Sequence, residues 1–171
     1  LGLFLVLSFV LGHVTQALGN MLEGALWGLL GGMPSSWVRR PDQDLLSPAQ
    51  RQRLLARLEQ DHGQPVDPAG MSDRAWAAVV REIYTKVNKA NRSERVDAFN
   101  RTYGLLRGLC AGFLVLAGLV ALAQPGHAGI AMAAIAAALA AGYRMYRFGR
   151  SYARELFVEY LGAPAPTQAR S

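Results

Sequence analysis

From residue 1 to 22, and again from 108 to 143, the chain carries no Asp, Glu, Lys or Arg. Each uncharged run exceeds the roughly 20 residues, at about 1.5 Å of rise each, that a helix needs to cross a bilayer. Cysteine is nearly absent as well. Cys110 stands alone inside the second run, which excludes a disulfide framework and leaves it the role of a small hydrophobe. The chain also lacks a phosphate-binding glycine loop, a metal-ligand pair and a nucleophile elbow. His13 and His127 stand far in sequence from acidic partners. No catalytic set, metal site or cofactor is therefore expected, and the chain reads as a non-enzyme.

The second run is interrupted by Gln124, Pro125, Gly126 and His127. These are turn formers, so the run reads as a hairpin of two helices. The expected fold class is all-α, an integral membrane bundle with three transmembrane helices and a small helical cytoplasmic segment. Its parts are a first span over 1–32, a cytoplasmic segment with a juxtamembrane stalk over 33–107, a hairpin over 108–143, and an amphipathic interfacial helix with a disordered end over 144–171. A cleaved signal peptide is the alternative for the first run, but it lacks a basic flank and its apolar pattern continues past Gly19.

Thirteen of the eighteen Lys and Arg lie between Arg39 and Arg107, and five lie from Arg144 onward. None lies in the 124–127 turn. By the positive-inside rule the middle segment and the C-terminus face the cytoplasm of a bacterial-type cell inner membrane, and the turn faces outward. The net charge of +6 is then mostly topological, with basic side chains meeting anionic headgroups.

Within the middle segment, Trp37 reads as an interfacial anchor. Ser47-Pro48 is a helix-start signature, and Leu54, Leu55 and Leu58 form a stripe that stops before Gly63. Ser72 caps a second helix in which Trp76, Val79, Val80, Ile83 and Val87 recur at helical spacing. Beyond it the polar stalk has no proline and reads as helix, with at most a break near Asn91. Two or three short helices bury little surface alone, so this segment is expected to pack on a partner copy or on the membrane. In the tail, Arg144, Arg147, Arg150 and Arg154 oppose Met145, Phe148, Tyr152, Leu156 and Tyr160, an interfacial amphipathic pattern.

The first span poses the main chemical problem. His13, Gln16, Asn20 and Glu23, with Trp27, fall within about an 80° arc of one helix face. Hydrocarbon cannot satisfy these groups, so the stripe must face protein or water. Two roles fit it: hydrogen bonding between helices and the lining of a water-filled path. In the second role Glu23 would supply cation preference. Gly24, Gly28 and Gly32 repeat every four residues beside the stripe, and Gly104, Gly108 and Gly112 repeat likewise in the second span. Such spacing predicts close helix packing. The third span is nearly all Ala and offers little bulk to lipid, which favours shielding by protein in a cyclic homo-oligomer.

Two motifs point elsewhere. Arg57-Leu-Glu-Gln-Asp-His62, an Arg, four residues and a His, resembles the short motif of HEPN ribonucleases. The resemblance covers six residues and implies an RNA-cleaving pair at Arg57 and His62. Before Gly63 the same His fits an ordinary helix end. Lys86, Lys89, Arg92 and Arg95 form a basic stretch suited to a polyanion such as a nucleic acid or nucleotide. Interleaved Glu82, Glu94 and Asp97 fit equally a positive-inside flank.

The functional expectation is an oligomeric membrane channel or pore-type effector with a cytoplasmic regulatory segment. The alternative is a non-catalytic accessory or assembly subunit of a larger membrane complex. The first rests on architecture, since a small helical domain joined to pore-type spans has the layout of a gated membrane effector.

Overall fold

The computed structural model describes every residue except Pro41, Gln43 and 165–171. The chain is 81% helical, and no strand occurs among the described residues. The helices are α1 (Gly2–Leu29), α2 (Pro34–Trp37), α3 (Pro48–His62), α4 (Asp73–Lys89), α5 (Glu94–Ala123) and α6 (Ala128–Gly162). A single 3₁₀ turn, Pro125–His127, joins α5 to α6. The turn falls at the residues expected for it, between the end of α5 and the start of α6. Most of the disordered end expected from the tail lies outside the described residues.

Local chemistry sets the helix ends. α1 stops where Gly31 and Gly32 adopt φ of +79° and +104°, left-handed values that glycine reaches without strain. α3 begins with a full capping box: Ser47 accepts from the Gln50 amide while the Gln50 side chain accepts from the Ser47 amide. It ends at Gly63, φ +67°, an αL cap. α4 is capped by Ser72, which accepts from the Ala75 amide 3.2 Å away. After α4 the chain turns at Asn91, whose φ is +56°; asparagine is the next most tolerant residue there. The stalk, read as helix with at most a break near Asn91, is interrupted there between Lys89 and Glu94, and α5 then runs into the second apolar run without interruption.

The chain divides into two compact units. The first comprises residues 1–31 and 100–148, and the second comprises 32–99 and 149–171. α5 and α6 each contribute a segment to both.

The second unit has its own core. Leu54 and Leu58 of α3, Trp76, Ile83 and Val87 of α4, Val96 of α5, and Ala153, Leu156, Phe157 and Tyr160 of α6 are all buried together. Trp76 and Phe157 stack with centroids 6.3 Å apart, and the Trp76 indole donates to the Ser35 carbonyl at 2.9 Å. Each fully buried large apolar side chain contributes about 1.5–3 kcal/mol. Here the structure corrects three expectations. The apolar face of residues 144–171 was expected to lie on a membrane interface, but from Ala153 onward it fills this core. The middle segment, expected to need an outside surface, completes itself with the end of α6. Trp37, expected as an interfacial anchor, is buried, donates to the Gly32 carbonyl at 2.9 Å and lies under the Arg150 guanidinium. Arg150 in turn pairs with Asp44 at 2.8 Å.

Among the described residues three helices are long and apolar enough to cross a membrane. They are α1 with its extension to Trp37, α5 and α6. Only 6% of the most apolar window in the first is buried, against 17% and 28% in the others. α1 therefore presents most of its surface outward from the single chain.

Candidate functional site

In the first unit a polar cluster joins α1 to α5. The Trp27 indole donates to the Tyr103 hydroxyl at 2.8 Å, and that hydroxyl donates to Glu23 Oε1 at 2.5 Å. Arg107 donates from Nη1 to Glu23 Oε2, so both carboxylate oxygens are satisfied. Trp27 also lies 5.9 Å, centroid to centroid, from the ring of Tyr146 on α6. The ion pair is largely covered, with side-chain exposures of 17% for Glu23 and 21% for Arg107.

Helical spacing explains the assembly. Glu23 and Trp27 are four residues apart on α1, as are Tyr103 and Arg107 on α5, so each pair shares a face. Gly19 lies one turn before Glu23, and a Cβ there would come within 3.2 Å of Arg107 Cγ. Its missing side chain makes room for the arginine stem. Ion pairing of this kind offsets the cost of placing charge in an apolar setting.

The expected polar stripe is thus divided. Glu23 and Trp27 turn toward α5, and Glu23 takes the interhelical role, with its charge balanced by Arg107. His13, Gln16 and Asn20 stay exposed on the single chain. The His13 ring meets Phe9 edge-on, centroids 4.4 Å apart, a contact within its own helix.

The glycines divide as well. Gly112 packs near α1, where a Cβ would sit 3.8 Å from Thr15 Cγ2. Around Gly24, Gly28, Gly104 and Gly108 a Cβ would meet nothing within 4 Å, so these four do not bring helices of this chain together. Gly32 is a correction: it lies beyond α1 with φ +104°, and serves the turn.

In the second unit the basic stretch is largely engaged by acids. Lys86 contacts Asp61 at 2.8 Å and Glu82 at 2.7 Å. Arg92 contacts Glu159 at 2.7 Å and Arg95 contacts Glu155 at 3.0 Å, while Lys89 is exposed. Three of the four cations proposed for a polyanion therefore spend their charge on tying α4, the turn after it and α5 to α3 and α6. Arg57 and His62 have separate partners. Arg57 donates to the Ala163 and Pro164 carbonyls and lies over the Tyr160 ring at 5.0 Å. His62 Nδ1 donates to the Leu58 carbonyl at 2.8 Å, and its Nε2 is 3.5 Å from Glu82.

Asp61 is the buried centre of that region, with its side chain 0% exposed. Burial pushes its carboxyl pKa up, but hydrogen bonds from Lys86 and Tyr160 and the charges of Lys86 and Arg57 outweigh this. The result lies below the usual value of 3.8. Lys86 is shifted upward, because its bonds to Asp61 and Glu82 outweigh burial.

Spacing did not reveal Tyr103, Arg107 or Gly19 as members of the cluster. One signal was present: Glu23 is the first charge after the first uncharged run, and Arg107 is the last before the second. In consecutive spans those positions fall at the same end.

These observations define an all-helical protein with, among the described residues, three helices long and apolar enough to cross a membrane and a charged pair linking two of them at the edge of their uncharged runs. Comparison of the chain with protein families, with curated proteins and with solved structures gives no match.

Proposed function

We propose that the chain is a multi-pass protein of a bacterial inner membrane that assembles with copies of itself into a pore. The observation that carries this reading is the exposure of His13, Gln16 and Asn20 on a helix otherwise covered with Leu, Val and Phe. In hydrocarbon each would be costly. An assembly that turns them inward, toward water or toward one another, removes that cost. The open space around Gly24 and Gly28 on the same helix is where a neighbouring helix can approach closely.

The test is ion flux through liposomes containing the pure protein, combined with the mass of the detergent-solubilised particle. A closed oligomer and measurable flux are expected. Gln16→Leu and Asn20→Leu should cut flux several-fold at unchanged particle mass, and Gly28→Leu should reduce the mass. A monomeric particle without flux would refute the pore.

A second reading, a non-conducting subunit of a larger membrane complex, is favoured by the Glu23–Arg107 pair, which leaves no free acidic ring to select cations. The same experiment separates the two. Flux whose cation-to-anion ratio changes in Glu23→Gln would return Glu23 to the path.

Topology follows from the basic residues. In a variant with Cys110 replaced by Ala, His127→Cys should react with an impermeant thiol reagent added outside, and Gln64→Cys should not. The reverse pattern would invert the orientation.

A further inference from the structure

The first unit contains an open-sided groove of about 460 Å³. It is lined by Leu22 and Leu26 of α1 with Leu30 just past its end, by Cys110 and Leu114 of α5, and by Leu139, Gly142 and Tyr143 of α6. Its walls are almost wholly apolar. Within it α5 and α6 stand at contact distance, since a Cβ on Gly142 would lie 3.5 Å from Cys110 Sγ. The volume falls in the range of ligand sites, about 300–1,000 Å³. Left empty, such a groove forfeits the dispersion contacts of its lining.

We propose that the groove holds one acyl chain of an anionic phospholipid from the cytoplasmic leaflet, with the phosphate at Arg147. The proposal rests on the membrane reading above. Three features select this occupant. The lining offers no ionic partner, which suits a hydrocarbon tail. Arg144 and Arg147 are the first charges after the uncharged run, and both are exposed. Arg144 lies over the Phe148 ring at 5.7 Å. Arg147 stands one helical turn beyond the groove residue Tyr143 and has no ion-pair partner among the described residues. An apolar cleft with a cation at its cytoplasmic end matches the polarity of a lipid tail followed by an anionic headgroup.

The experiment uses the full chain in liposomes that carry a trace of phosphatidylglycerol with a photoactivatable acyl chain, and in parallel phosphatidylcholine with the same chain. After illumination the labelled peptides are mapped. Labelling from phosphatidylglycerol should concentrate around residues 110–114 and 138–146, several-fold above the more exposed 119–122. Leu139→Trp, which fills the groove from an exposed position, should reduce it several-fold. Arg147→Glu should reduce labelling from phosphatidylglycerol and leave that from phosphatidylcholine unchanged.

Uniform labelling of all exposed faces, or labelling indifferent to Leu139→Trp, would overturn the proposal. So would efficient Cys110–Cys110 cross-linking between copies, which would show a second chain in the groove. Equal loss from both lipids in Arg147→Glu would overturn the headgroup assignment. Alkaline extraction keeps the two ideas apart: protein washed from the bilayer refutes the membrane reading and the lipid site with it, whereas protein retained without groove labelling refutes the lipid site alone.

Discussion

Replacing Arg107 with alanine is expected to destabilise the first unit by about 3–5 kcal/mol, the usual cost of leaving one partner of a covered ion pair alone. Glu23 would then keep only the Tyr103 hydroxyl as a donor. Its carboxylate is then covered without a counter-charge. Glu23→Ala should cost a comparable amount, because the guanidinium is stranded in turn. The double variant Glu23→Leu with Arg107→Met should fall much closer to wild type, since replacing both members by apolar residues of similar volume removes desolvation together with attraction. Thermal unfolding in detergent, followed by tryptophan fluorescence, checks the cycle. Trp27 belongs to the cluster and reports on it directly. Additive effects of the two single changes, with no recovery in the double variant, would mean that the pair contributes no coupling.

Asp61→Asn is expected to lower stability at neutral pH by about 1.5–3 kcal/mol, the worth of hydrogen bonds to a charged acceptor. Lys86 and Tyr160 both donate to Asp61 Oδ2, and an amide leaves them a weaker acceptor. The effect should depend on pH in a defined direction. The folded-state pKa of Asp61 lies below its unfolded value near 3.8. The stability it supplies is therefore complete above that value and is lost as the pH falls through the folded pKa. The wild-type advantage should shrink below about pH 4. Lys86 behaves oppositely: with its pKa raised above 10.5, its contribution is present below that value and declines in stronger alkali. A wild-type advantage that stays constant from pH 7 to pH 2 would exclude the charged Asp61 as its source.

Both clusters show why the candidate site was only partly legible. The polar stripe of α1 was visible because His13, Gln16, Asn20 and Glu23 repeat at helical spacing within one segment. Which of them face the bundle was not visible, because the partners of Glu23 lie 80 and 84 residues away. A helical wheel reports angles around one axis and carries no information about the axis beside it. The glycine triplets had the same weakness. Their spacing was real, yet of their glycines within helices Gly112 alone comes against another helix, while Gly32 terminates α1 through its φ.

Local chemistry in the sequence determined the apolar runs, the turn at 124–127, the caps at Ser47, Ser72 and Gly63 and the break at Asn91, because each depends on residues within a few positions of one another. The destination of every amphipathic face was a tertiary decision. The tail of α6 has a pattern that suits a membrane surface and a protein core equally well. It became core because α3 and α4 bring Leu54, Leu58, Trp76, Ile83 and Val87 to a face that needs covering, and the distal part of α6 supplies Leu156, Phe157 and Tyr160. Burial against those side chains removes both apolar surfaces from water at once. The same packing paired Arg92 with Glu159 and Arg95 with Glu155, giving charges that read as a binding stretch along the chain a structural role across it.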